Sequence, residues 1–408
     1  MPSLTPINEA FETLLGALAS IDESESVSLL RSTGRVLAED LISTVNVPPL
    51  TNSAMDGYAV RSADFNSDSK DEPVTLQVTQ RIAAGEIGSL LSKGEAARIF
   101  TGAPIPEGAD AVVMQENCEA AGEQVKVLQA VSGGENLRQA GDDIKAGATL
   151  LEKGHRLLPQ DIGLAASTGA STLPVIRKLR VAVMTTGDEL VPPGNELEPG
   201  QIYNSNYYSL AALLLELNCE VEELGVVVDD LETTKQVLAD AATKVDCIIS
   251  TGGVSVGEED HVKAAVEANG HLDLWKLAIK PGKPFASGKV GDTQFFGLPG
   301  NPVSAFVTFL LLVKPCLLAM SGGEASLCKG YPVVADFTAE KSTDRQQYIR
   351  ASLHSQGNQL LGVKPFVNQS SGVGTSLSTA QGLAIIPPHT AVATGDILEF
   401  IPFSQLLG

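Results

Sequence analysis

From Arg180 onward, apolar strand-like runs alternate with amphipathic helical stretches, and few folds accommodate that rhythm. The runs fall at 180–185, 209–217, 221–228, 231–243, 246–250, 262–269, 272–277, 293–297 and 303–320. A strand that feeds a helix and then another strand predicts a doubly wound, mostly parallel sheet with helices on both faces. Ligands of such sheets bind outside the carboxyl ends of the strands. The residues that follow each run are therefore the ones to read for chemistry.

The central run, Asp246-Cys247-Ile248-Ile249-Ser250, stops at Thr251-Gly252-Gly253, and Val254-Ser255-Val256-Gly257 leads into the helical pattern that follows. A strand, a glycine-rich turn and a helix start can cradle phosphate. Glycine lets the backbone approach the ligand, and unpaired N–H groups at the helix start favour an anion. Gly pairs after strands also make plain tight turns, so the neighbouring strand ends carry the decision. They read Thr186-Gly187-Asp188-Glu189, Asp229-Asp230, Glu258-Glu259-Asp260, Trp275-Lys276-Leu277 with Ile279-Lys280-Pro281-Gly282-Lys283, and Gly297-Leu298-Pro299-Gly300-Asn301-Pro302. One sheet edge thus gathers acids, lysines and two glycine-containing turns. A single Asp at such an end is commonly a helix N-cap, and Asp229-Asp230 fits that description too. Together the set suits a phosphate-bearing anion held with a hard cation, carboxylates serving Mg²⁺ and lysines neutralising phosphate. No Ser–His–Asp or Cys–His pairing is legible, which argues against a covalent protein intermediate.

Composition enters as a filter. With 49 acidic and 28 basic residues the formal charge is −21, which argues against nonspecific nucleic-acid binding and against an anionic membrane surface. Local positive charge must then come from Lys276, Lys280 and Lys283. Cys118, Cys219, Cys247, Cys316 and Cys328 are scattered, with no C-x-x-C pair, as expected of a reducing, cytoplasmic setting without a zinc site. The first residues lack a basic segment, so no signal peptide is expected. The longest apolar run, 305–313, ends at Lys314-Pro315 and reads as a buried helix.

Ahead of the sheet, Thr5-Pro6 followed by Ile7, Ala10, Phe11, Leu14, Leu15 and Leu18 predicts a helix. A second short helix is expected over 26–32 and an extended segment over 36–47. Short β-like runs then fill the stretch to about Gly141, after which 146–156 is extended and 159–168 helical. This pattern predicts an elongated first domain (1–43 and 146–178) interrupted by an inserted β domain (44–145). The α/β domain takes 179–328, and the short strands from Tyr331 onward make a C-terminal β domain (329–408).

Several motifs in one order resemble the molybdopterin molybdenumtransferases of the MoeA family, also seen as the E domain of gephyrin. They are Asn52-Ser53-Ala54-Met55-Asp56-Gly57-Tyr58-Ala59, Thr101-Gly102-Ala103-Pro104, Asn136-Leu137-Arg138 with Gly141-Asp142-Asp143, and the strand-end motifs above. The resemblance implies a MogA-like sheet domain and insertion of molybdate into adenylylated molybdopterin, releasing AMP, with Mg²⁺ required. It implies catalytic roles for Asp56, Thr101, Asp143, Glu189, Asp229 and Asp260, with Glu189, Asp229 and Asp260 also serving the metal. Substrate would be held by Asp188, Gly252, Gly253, Ser255, Gly257, Lys276, Lys280, Pro299, Pro302, Arg350 and Ser371. It further implies a cytoplasmic homodimer with active sites shared between subunits, and contact with a molybdopterin adenylyltransferase. That adenylyltransferase is the nearest rival reading, but it is a much shorter, single-domain protein. A non-catalytic molybdopterin-binding scaffold is the other, and it would not need acids and lysines together at the strand ends.

Overall fold

Six strands form the sheet that carries the strand-end motifs. The computed structural model describes residues 4–65, 72–228, 230–253, 261–340, 343–355 and 361–407, without the side chain of Leu274. Asp229, Ser255, Gly257 and Asp260 lie outside the described residues.

In chain order the sheet domain comprises β1 (Arg180–Thr186), α1 (Ser205–Glu216), β2 (Glu220–Val227), α2 (Leu231–Ala242), β3 (Cys247–Thr251), α3 (His261–Asn269), β4 (Gly270–Lys276), β5 (Pro284–Val290) and β6 (Thr293–Leu298). A last helix, α4, runs from Pro302 to Met320. The spatial order is β2-β1-β3-β6-β5-β4. The pairs β2–β1, β1–β3 and β3–β6 are parallel, and β6–β5 and β5–β4 are antiparallel. Two reversals restore the direction, so β4 ends at the same edge as β1, β2, β3 and β6.

The central strands β3 and β6 are buried along their whole length because both faces are covered, whereas the edge strand β2 carries Glu220, Glu222 and Glu223. Val181, Val183, Cys247, Ile249, Phe296 and Leu298 face one way, against Leu210, Leu213 and Leu214 of α1 and the apolar side of α4. Ala182, Met184, Ile248, Ala286 and Phe295 face the other way, against Leu238 and Ala241 of α2 and Val262, Ala265 and Val266 of α3. The Val, Leu, Ile, Phe and Met side chains among them contribute about 1.5–3 kcal/mol each when fully buried. α4 is long and apolar enough to cross a membrane by composition, but 83% of that window is buried inside the fold, as the core helix of the domain. It widens into a π turn over Phe309–Val313, just before Pro315, which has no N–H to continue the ladder.

The remaining elements frame this sheet. The inserted β unit orders its strands as Ala111–Met114, Gly57–Val60, Glu95–Ile99, Val74–Ile82, Gln124–Val127 and Cys118–Ala121. The chain enters and leaves this unit side by side, where Val47 bridges Ile144. The C-terminal sheet contains Tyr331–Ala335, Gln346–His354, Gly362–Pro365, Gly382–Ile386 and Ile397–Pro402. Its sixth strand is Ile279–Lys280, contributed by the loop after β4 and paired in parallel with Gln346 and Gln347. The backbone of the lysine loop is therefore shared between two domains.

Two expectations need correction. The helix expected over 26–32 is confined to Leu29–Ser32, because Ser24–Ser28 is a strand paired antiparallel with Thr172–Ile176. A partner about 150 residues away overrides the local pattern. The segment 36–47 contains only the short strand Leu41–Ile42, with bridges at Val36, Leu37 and Val47.

Candidate active site

The glycine-rich turn after β3 is dictated by crowding as well as by backbone angle. Gly252 has φ +90° and Gly253 +66°, a region that disfavours other residues. A Cβ on Gly252 would lie 3.0 Å from the Thr186 carbonyl oxygen, and one on Gly253 only 2.4 Å from Val262 Cγ2. The turn is thus pressed between the end of β1 and the start of α3.

A second loop, Pro299-Gly300-Asn301, follows β6 and touches the first. A Cβ on Gly300 would sit 3.7 Å from Gly252 Cα, and the Gly252 N–H donates to the Leu298 carbonyl at 3.2 Å. Asn206, in the first turn of α1, clasps both. Its Nδ2 donates to Thr251 Oγ1 at 2.9 Å and to the Gly300 carbonyl at 2.7 Å. Thr251 Oγ1 in turn donates to the Pro299 carbonyl at 3.1 Å. The preceding Asn204 caps α1 through Tyr207 N and donates to Thr185 Oγ1 at 2.9 Å, fixing the helix start against β1. Asn206 was not singled out from sequence, because it opens a helix and does not follow a strand.

The charged groups divide into those already used and those left over. Asp230 is a helix cap: its carboxylate accepts from Thr233 N and Oγ1 at 2.8 and 2.7 Å, and these bonds hold its pKa below the usual carboxylate value. Asp188 and Glu189 follow β1. Among the described residues neither carboxylate enters a hydrogen bond or ion pair, and Glu189 folds back toward Gly187, where a Cβ would lie 2.5 Å from its Oε2. These two unspent carboxylates have the oxygen-donor chemistry of a Mg²⁺ site. Among the described residues, however, no group of three or more potential ligands clusters. Lys276 ends β4, and Lys280 lies exposed in the loop beyond it; neither ammonium has an ion-pair partner among the described residues. Lys276 stands two strand spacings from β6, about 10 Å along the edge.

The C-terminal domain reaches the same edge. Pro302 opens α4, and the N–H of Val303 donates to the Ser371 carbonyl at 3.0 Å. The neighbouring Ser370 carbonyl accepts from Arg350 Nη2 at 3.1 Å, and Arg350 Nε donates to Ser376 Oγ, also at 3.1 Å. Arg350 is only 1% exposed. No carboxylate lies within ion-pair reach of it among the described residues, and burial pushes its pKa down. A buried guanidinium without a counter-charge is costly and invites an anion.

Asp56, Thr101 and Asp143 lie in or beside the inserted β unit. Thr101 donates both its N–H and its hydroxyl to Asp56 Oδ1, each at 2.8 Å. These bonds, aided by the nearby Arg98, hold the Asp56 carboxyl below its usual range. The Asp143 N–H donates to the Val47 carbonyl at 3.0 Å, which places it at the neck of the unit, and its carboxylate is exposed. The structure thus gathers Gly252, Gly253, Pro299, Pro302, Lys276, Lys280, Ser371, Arg350, Asp188 and Glu189 around one sheet edge. Asp56 and Thr101 form a separate pair, and no hydrogen bond or ion pair joins them to the sheet domain among the described residues.

Three sequence families cover most of the chain: MoeA N-terminal region (domain I and II) over residues 5–169, Probable molybdopterin binding domain over 182–319, and MoeA C-terminal region (domain IV) over 332–403. A relative from Haemophilus influenzae named molybdopterin molybdenumtransferase is 37% identical, covering 98% of this chain and 99% of its own. One of the same name from Bacillus subtilis is 37% identical, covering 90% and 87%. The crystal structure of a molybdopterin biosynthesis MoeA protein from Pyrococcus horikosii superposes with a TM-score of 0.81 at 34% identity, covering 98% of this chain and 99% of that one.

Proposed function

The chain belongs to the MoeA family of molybdopterin molybdenumtransferases, and from that premise we propose that its sheet edge inserts molybdate into adenylylated molybdopterin with release of AMP. The coarser statement is plain: the protein is a transferase of molybdenum cofactor biosynthesis, with molybdopterin and molybdate as substrates. The adenylylated form and the release of AMP are the proposal.

One observation carries it. Two touching glycine loops, clasped by Asn206, share the sheet edge with Lys276, Lys280 and the buried Arg350, none of which has an ion-pair partner among the described residues. A diphosphate-linked ligand needs cationic contacts at both ends of its charged stretch, and molybdate is itself a dianion. Lys276 and Lys280 hold phosphate as point charges. Backbone N–H groups of the Gly252-Gly253 turn approach it closely. Arg350, with the Ser370-Ser371 segment that it steadies, takes the second oxyanion. Pro299 and Pro302 shape the wall. Asp188 and Glu189 would hold Mg²⁺, which when bound neutralises phosphate oxygens. Asp229, Asp260, Ser255 and Gly257 complete the reading on the resemblance alone.

Asp56, Thr101 and Asp143 enter through a homodimer whose sites are shared: the inserted unit of one subunit faces the sheet edge of the other. The same reading places the enzyme in the cytoplasm and in contact with the adenylyltransferase that supplies its substrate. The test is AMP release from adenylylated molybdopterin with molybdate present. Wild-type protein releases AMP, and Lys276→Ala does so with weakened substrate binding. Equal release and equal affinity in the variant would reject the assignment.

A further inference from the structure

On the inserted β unit, Arg81 of the strand Val74–Ile82 stands opposite Arg98 of the parallel strand Glu95–Ile99. Like charges placed directly across a sheet repel. Both guanidinium groups lie over the ring of Phe100, at 4.5 and 4.8 Å from its centroid, and Arg98 also lies over Tyr58 at 5.2 Å. Arg98 is locked further: Nη1 donates to the Gly57 carbonyl at 3.1 Å and Nη2 to Gln115 Oε1 at 2.6 Å. Arg81 is exposed and makes no hydrogen bond among the described residues.

In a chain with 49 acidic residues, neither arginine has a carboxylate within ion-pair distance among the described residues. The Asp56 carboxyl is held down chiefly by its two bonds from Thr101 and only lastly by the charge of Arg98, and its Oδ1 is bound to Thr101. Two guanidinium forks held on one ring, without an ion-pair partner among the described residues and next to the Asp56–Thr101 pair, are built to receive oxygens of a polyanion. We propose that Arg81 and Arg98 form a phosphate-binding subsite on the inserted β unit, which takes a phosphate of the pterin substrate. The link to substrate rests on the proposed function; the anion site itself does not.

The test separates the two. Inorganic pyrophosphate is titrated into the full-length protein carrying Lys276→Ala, Lys280→Ala and Lys283→Ala, which removes the lysines of the sheet edge. Adding Arg81→Gln to that background weakens pyrophosphate binding at least tenfold and flattens its salt dependence. Arg98→Lys, which keeps the charge and loses the fork, weakens it less. Melting temperatures confirm that the variants fold, as expected for the exposed and unbonded Arg81. Unchanged affinity in the Arg81→Gln protein overturns the subsite. In turnover, Arg81→Gln in the otherwise wild-type enzyme raises KM for adenylylated molybdopterin and leaves kcat near normal. An unchanged KM overturns the link to substrate. If wild-type protein released no AMP at all, the pyrophosphate titration would still decide whether the subsite exists.

Discussion

Asn206 Nδ2 lies 2.7 Å from the Gly300 carbonyl oxygen and 2.9 Å from Thr251 Oγ1, so one side-chain amide ties the turn after β3 to the loop after β6. The two loops come from strands that are neighbours in the sheet but 47 residues apart in sequence, counting from Thr251 to Leu298. Their relative position sets the shape of the anion cradle. It depends on this clasp more than on the sheet, which ends before either loop begins.

Asn206→Ala should therefore lower kcat by about 10²-fold, as expected when reacting groups shift by about 1 Å, with a stability loss of only about 1–2 kcal/mol. Asn206→Asp should be as inactive, because a carboxylate cannot donate to the Gly300 carbonyl. Asn206→Gln should recover part of the activity if its longer amide reaches. Steady-state kinetics with thermal melts checks this. Normal kcat in Asn206→Ala would show that the loops hold their shape unaided.

The Asp56–Thr101 pair makes a different prediction. Thr101 donates two bonds to the carboxylate, which holds Asp56 below its ordinary pKa of 3.8 and keeps it ionised throughout the neutral range. Thr101→Val should return the Asp56 pKa toward 3.8, measured by NMR titration of the carboxyl carbon. Asp56→Asn, which keeps the shape and removes the charge, should abolish most turnover with an unchanged melting temperature. An Asp56 pKa that stays put in Thr101→Val would contradict the assignment of the shift.

Away from the site, Arg177 joins the first domain to the sheet domain. It donates to Asp246 at 2.7 and 2.8 Å and also bonds Glu23, while Asp246 accepts the Arg180 N–H at 2.8 Å. Burial pushes the Asp246 carboxyl up, but the bonds from Arg177 and Arg180 together leave it below 3.8. A depressed carboxylate stabilises the fold above its unfolded pKa and loses that contribution as pH falls through the folded value. The contribution is thus complete at neutral pH and begins to fall only below about 3.8, shrinking as pH drops toward the lower folded value. Asp246→Asn should cost about 2 kcal/mol at pH 7 and less at pH 3. A destabilisation that is the same at both values would count against the ion pair.

The metal prediction follows from the donor set. Asp188 and Glu189 are unspent carboxylates, and no cage of three ligands exists among the described residues. A chelator should stop turnover and leave the melting temperature nearly unchanged, with Mg²⁺ restoring activity. A large fall in melting temperature would instead mark a structural ion.

Much of this site was legible in the sequence because period and punctuation agree there. β3 is apolar and β-branched, ends at Gly252-Gly253 and must point its carboxyl end at the ligand edge. What local reading missed depends on distant partners. β5 was overlooked because Ser287 and Gly288 interrupt its apolar run, yet its backbone is paired on both sides, to β4 and to β6. Ser24–Ser28 is polar and became a strand only through Thr172–Ile176. The partners of Asn206 lie 45 and 94 residues away. The buried state of Arg350 also had no local sign, since its bonds go to Ser370 and Ser376 across the C-terminal domain.

The central claim, that the sheet edge couples loss of AMP to gain of molybdenum, is tested most directly by a single-turnover reaction on adenylylated molybdopterin. AMP released and molybdenum bound to the pterin are counted in the same sample. The account predicts one of each per pterin with the wild-type protein and, for Lys276→Ala, both products reduced together at subsaturating substrate. Molybdenum bound to the pterin while the adenylyl group stays attached, or AMP released in full by the wild-type protein with no molybdenum incorporated, would contradict it.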